Sequence, residues 1–121
     1  MELITHSVTF SKAAESYGIS ATDNYYLPKD FYIKRLHVFG SVDSNGDTAV
    51  PFWETVANGY VHIGLDYYYF NFLGENVIPI NQTVLATTLM LIKLYGNTND
   101  NTHALFFKYF FIFEGFPKIA T

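Results

Sequence analysis

His103-Ala104-Leu105-Phe106-Phe107-Lys108-Tyr109-Phe110-Phe111-Ile112-Phe113, closed by Glu114-Gly115, is the stretch on which the fold turns. It is dense in the aromatic side chains that suit a pleated surface and meets no glycine or proline before Gly115, so it reads as a strand. A period of two puts His103, Leu105, Phe107, Tyr109, Phe111 and Phe113 on one face. Ala104, Phe106, Lys108, Phe110 and Ile112 fall on the other. Both faces are mostly apolar. A strand with one side in a core and one in water carries polar residues on its wet side, so the second face is expected to be covered too, by a neighbouring protein.

Working back from this strand, Gly96 to Thr102 reads as the turn that feeds it. Thr83 to Tyr95 fits either period, and its threonines and β-branched residues favour a strand. Asn71 to Gln82 reads as a connection broken by Gly74 and Pro79, with Val77-Ile78-Pro79-Ile80 extended across an edge. Tyr60 to Phe70 alternates as one strand, with Val61, Ile63, Leu65, Tyr67 and Tyr69 on one face and Tyr60, His62, Gly64, Asp66, Tyr68 and Phe70 on the wetter one. Asn58-Gly59 and Asp43 to Asp47 are turn signals. Pro51 to Val56 fits a short strand or a helical turn. Phe31 to Val42 is a long strand in which Ile33, Arg35, His37 and Phe39 oppose Lys34, Leu36, Val38 and Val42, the second being the better core face from Leu36 onward. Ser11 to Gly18 fits a loop or an edge strand, and Leu3 to Phe10 alternates as a first strand. The count is seven or eight strands with no long helix, which predicts a sandwich or small barrel. Long connections around residues 11–30 and 71–82 favour Greek-key crossings over a meander. The candidates are a jelly roll, an immunoglobulin-like sandwich and an up-and-down barrel.

Composition sets the function classes. A chain of 121 residues is expected to form a single domain. It has no cysteine, which excludes disulfides and thiolate metal sites. Charged residues are 15% and aromatic residues 19%, so hydroxyls and amides must serve much of the surface. A net charge of -4 with scattered basic residues argues against nucleic acid as a partner. The first residues show no basic region followed by an apolar run, and no apolar segment reaches the roughly 20 residues of a membrane-spanning helix. The expectation is synthesis in a cytoplasm.

No catalytic constellation emerges. His37, His62 and His103 are isolated, without the His-x-His pair and trailing carboxylate of a cupin-type metal site. No serine lies in a Gly-x-Ser-x-Gly elbow, and no glycine-rich phosphate loop is present. Asp66 with Glu54 or Glu75 could supply paired carboxylates, but nothing in the spacing joins them. The expectation is a non-enzyme with no cofactor and no metal. The aromatic surplus admits two uses. Tyr25-Tyr26, Trp53 and Tyr67-Tyr68-Tyr69 could stack sugar rings in a carbohydrate- or receptor-binding module, or anchor a protein interface. Alternation turns Tyr68 away from its neighbours, so the triplet cannot form one platform, which weakens the sugar reading.

Leu105 to Gly115 resembles the final strand of the penton, or vertex, proteins of tailless, membrane-containing icosahedral bacteriophages of the tectivirus kind. The similarity lies in Leu105-Phe106-Phe107, then Phe110, Ile112 and Gly115 in the same register close to the end of the chain. It covers about a tenth of the sequence and departs at Lys108, where the family strand is apolar, leaving open which face is core. The resemblance implies an all-β domain over residues 1–121, a single jelly-roll sandwich of about eight antiparallel strands. Five copies would close a ring at the capsid vertex of the virion, meeting the major capsid protein at the rim and a spike protein or the internal membrane along the axis. The candidate interface residues are Phe106, Lys108, Phe110, Ile112, Tyr68 and Trp53.

Overall fold

The computed structural model describes residues 1–12, 18–43, 55–70, 74–98 and 105–118. They form eight strands: β1 (Glu2–Lys12), β2 (Gly18–Tyr25), β3 (Phe31–Asp43), β4 (Thr55–Ile63), β5 (Asp66–Phe70), β6 (Gly74–Val84), β7 (Met90–Thr98) and β8 (Leu105–Pro117). Two four-stranded sheets have the orders β1-β8-β3-β6 and β2-β7-β4-β5. Strands 1 and 8, 2 and 7, 3 and 6, and 4 and 5 are antiparallel partners. This nesting of first with last is the double Greek key of a jelly-roll sandwich.

β8 lies between β1 and β3 and is paired with β3 from Phe106 to Pro117 and with β1 from Leu105 to Gly115. Its odd-numbered side chains, Leu105, Phe107, Tyr109, Phe111 and Phe113, are fully buried. Phe70 crosses from the other sheet to meet Tyr109 at 5.5 Å and Phe111 edge-on at 5.8 Å. Phe107 stacks on Phe10 at 4.9 Å, and across the sandwich its ring occupies the space a Cβ at Gly96 would fill. Leu36, Val38, Val61, Ile63, Ile92 and Leu94 complete the middle of the core.

Several boundaries differ from the sequence expectation, each for a local reason. Residues 60–70 are not one strand. Ile63 pairs with Asp66 across a two-residue turn in which Gly64 has φ +62, the geometry that glycine adopts most readily at the first turn position. Phe70 and Tyr68 therefore join Val61 on the inner side, while Tyr67 and Tyr69 turn outward. Asn58-Gly59 is not a turn but lies within β4, where a Cβ at Gly59 would meet the Lys93 carbonyl oxygen. The stretch 71–82 is largely strand β6, with Pro79 tolerated because β6 is a sheet edge. Residues 83–95 divide into the end of β6 and β7, with a turn between them held by Asp30, whose carboxylate accepts from the Ala86 N–H at 2.8 Å. The expected connection over 11–30 contains β2, and β7 runs through Gly96 to Thr98, the rest of the turn expected there lying outside the described residues. In β3 the register shifts between Ile33 and Arg35. That bulge exchanges the faces, so Phe31 and Ile33 are buried before it and Leu36 and Val38 after it. The expected turn over 43–47 and the expected element over 51–56 lie mainly outside the described residues.

Candidate functional site

The outer face of the β1-β8-β3-β6 sheet carries the even-numbered side chains of β8. Phe106 is 42% exposed, Lys108 is exposed, and Phe110 and Ile112 are half-buried. Register sets their neighbours. Phe110 lies between Ser7 and Phe39, and the two phenylalanine rings are 6.4 Å apart. Ile112 lies between Thr5 and His37, and Lys108 between Thr9 and Ser41. Exposed Leu3 and Val77 extend the apolar surface onto both edge strands. The centre is therefore aromatic and aliphatic, flanked on β1 by Thr5, Ser7, Thr9 and Ser11, the arrangement of an apolar interface core beside a polar rim.

Two open depressions flank Lys108. One of about 460 Å³ is bounded by Thr9, Ser11, Ser41 and Phe106, and one of about 410 Å³ by Ser7, Phe39, Gly40 and Phe110. Among the described residues Lys108 has no carboxylate partner. Toward the end of β8, Glu114 is largely buried, with Arg35 Nε 2.5 Å and His37 Nε2 3.8 Å from its Oε2. The surface thus carries one compact charged cluster at one end, the exposed Glu75 opposite Phe39 on the edge strand β6, and at its middle an ammonium without a carboxylate partner among the described residues.

The other candidate residues lie elsewhere. Tyr68 faces the interior from β5 and its hydroxyl donates to Gln82 Oε1 at 3.0 Å, tying the edges of the two sheets together. Burial, followed by the Asp66 carboxylate, raises its phenol pKa. Trp53 lies outside the described residues, as do Glu54 and His103. Asp66 opens β5 and Glu75 stands near the start of β6, in different sheets. His6 Nε2 is 2.6 Å from Asp23 Oδ2, and its ring stacks on Tyr25 at 3.9 Å, joining β1 to β2 at the opposite side of the sandwich. Among the described residues no three His, Asp or Glu side chains converge as a metal site.

A second surface was not legible as a unit in the sequence. On the outer face of the β2-β7-β4-β5 sheet, register places Tyr60 opposite Tyr69 and His62 opposite Tyr67. His62 stacks on Tyr67 at 4.1 Å and 5°, and Tyr60 meets Tyr67 at 5.3 Å and Tyr69 at 5.5 Å. Tyr67 and Tyr69 are 49% and 67% exposed. Lys93, paired with Tyr60 on β7, donates to Thr22 Oγ1 at 3.1 Å and lies over the Tyr95 ring at 5.6 Å. Desolvation, then the phenols of Tyr95, Tyr67 and Tyr69, raise the Tyr60 pKa. The signal that would have revealed this cluster is Gly64-Leu65 read as a two-residue hairpin turn.

No protein-family model matches the chain, and no curated protein matches it. Among solved structures, one of infectious bursal disease virus, Gx strain, aligns with 99% of this chain at 10% identity and a TM-score of 0.35. The aligned region spans 37% of that chain.

Proposed function

We propose that the protein is a non-enzymatic structural subunit of an icosahedral viral capsid, the penton subunit, of which five copies close a ring at the vertex. The observation that carries this reading is the outer face of β8. In a jelly roll whose core is already filled by Leu105, Phe107, Tyr109, Phe111 and Phe113, the same strand presents Phe106, Phe110 and Ile112 outward beside Phe39, Leu3 and Val77. An apolar surface of this extent is unfavourable in water and becomes favourable when a neighbour covers it. The resemblance of Leu105 to Gly115 to the last strand of tectivirus-like vertex proteins agrees with it.

A ring of five is a heterologous, closing assembly, in which two different surfaces of each subunit are complementary. The β8 face serves as one of them, with Phe106 and Phe110 as anchors and Lys108 seeking a carboxylate on the neighbouring copy. The rim meets the major capsid protein, and the axis meets a spike or the internal membrane. Immunogold labelling of purified virus particles tests the assignment. Label at the vertices is the expected result, and a protein absent from particles contradicts it.

A further inference from the structure

We propose that the outer face of the β2-β7-β4-β5 sheet is a carbohydrate-binding platform on which pyranose rings of an oligosaccharide stack against Tyr67 and Tyr69. The geometry begins with His62, the cross-strand partner of Tyr67, which covers one face of its ring at 4.1 Å. That stack runs across the strands. Tyr69, two residues along the same strand and on the same face, has its ring 6.3 Å from that of Tyr67 and inclined by 22°, so the two rings are near-parallel neighbours. β5 is the last strand of its sheet, and both rings stay exposed beside that edge, with no further strand of the sheet beyond them. Tyr60 props both rings from behind. Rings held in this way lose little conformational freedom when a ligand arrives, which favours binding of a weakly interacting partner.

The chemistry of the two outer faces separates their partners. The β8 face presents phenylalanine, isoleucine, valine and leucine, groups that gain from burial under protein. This second face presents tyrosine and histidine, each an apolar ring with a polar tip, together with Lys93, Ser20, Thr22 and Asn24, and a single aliphatic side chain, the half-buried Leu91 between His62 and Asn24. Sugars have the matching character, with C–H faces to lie on aromatic rings and a rim of hydroxyls to exchange hydrogen bonds with phenol oxygens and an ammonium. Among the described residues on this face, by register, none is acidic, so neutral and acidic sugars are both accommodated. A nucleic acid is disfavoured, because Lys93 is the sole cation among them.

Titration of the full chain, followed by NMR of the backbone amides, tests the proposal with panels of neutral and uronate-containing oligosaccharides. The expected result is saturable shifts confined to β4, β5 and β7. Tyr67→Ala and Tyr69→Ala should each weaken binding about ten-fold, from the stacking lost. Tyr69→Phe, which keeps the ring, should weaken it far less, and Phe116→Ala, at an exposed position of β8 in the other sheet, should leave it unchanged. Retained amide dispersion in each variant shows that it folds. The proposal is overturned if no oligosaccharide produces shifts at about 10 mM, a concentration that reveals millimolar dissociation constants. It is equally overturned if Tyr67→Ala and Tyr69→Ala leave sugar binding intact, or if they abolish self-association instead, which would make this a protein interface. Vertex location and sugar binding are read by different experiments, so failure of one leaves the other standing.

Discussion

Phe106 and Phe111 are near neighbours on β8 and have opposite fates, because an odd separation along a strand reverses the face. Phe111 is fully buried, and Phe111→Ala should cost about 3 to 5 kcal/mol in urea unfolding. Phe106→Ala should change monomer stability by no more than about 1 kcal/mol, because the side chain is 42% exposed. Its effect should appear in assembly. Tyr109 lies in the same buried row, and its hydroxyl has no hydrogen-bond partner among the described residues. Burial alone raises its pKa far above the ordinary 10.0. The sign of the pH effect follows. Once pH passes the ordinary phenol value, the unfolded chain releases this proton while the folded chain retains it, so stability is fully present below about pH 10 and falls as pH rises beyond it. Tyr109→Phe should flatten that alkaline decline without lowering stability at neutral pH, which a series of urea midpoints from neutral to alkaline pH would reveal.

Among the elements, those with a simple period were legible and those that break it were not. β1 and β8 follow an uninterrupted period of two and were recognisable from residue types alone. β3 was recognised as a strand, but its core face could be read only after Leu36. The bulge beyond Ile33 is fixed by pairing with β6 and β8, information that no local pattern contains. The β4–β5 hairpin was hidden because Gly64-Leu65 interrupts an alternation that continues on both sides, so the local pattern looks like one longer strand. Gly64 is the residue that permits the turn, and with φ +62 it holds a conformation that an L side chain resists. Gly64→Ala should cost about 1 kcal/mol and disturb the Tyr60, Tyr67 and Tyr69 cluster first. Loss of the aromatic near-ultraviolet circular dichroism before global unfolding would be its signature. Gly115→Ala is more severe, because the new Cβ would be placed 1.8 Å from the Tyr32 carbonyl oxygen, and should fail to give a folded protein in a solubility assay.

At the scale of the molecule, the jelly roll separates two outer surfaces of different chemistry. Parity alone groups Phe106, Lys108, Phe110 and Ile112 on one face of β8, since a single strand supplies them, but which of its two faces is core is fixed only by packing against the other sheet. The tyrosine face was not legible in this way, since it draws on β4, β5 and β7 and needs the hairpin register to assemble it. Lys108, which interrupts the apolar row, points outward with Phe106 and Phe110 and leaves the core intact. Replacing Phe106 and Phe110 together with serine should therefore yield a folded chain that no longer assembles. A neighbouring copy covering the β8 face in a closed ring would show in the mass of the purified protein, measured by static light scattering over a range of concentrations. A species of five times the 13.8 kDa chain mass is the predicted result, and a monomer at every concentration would contradict it.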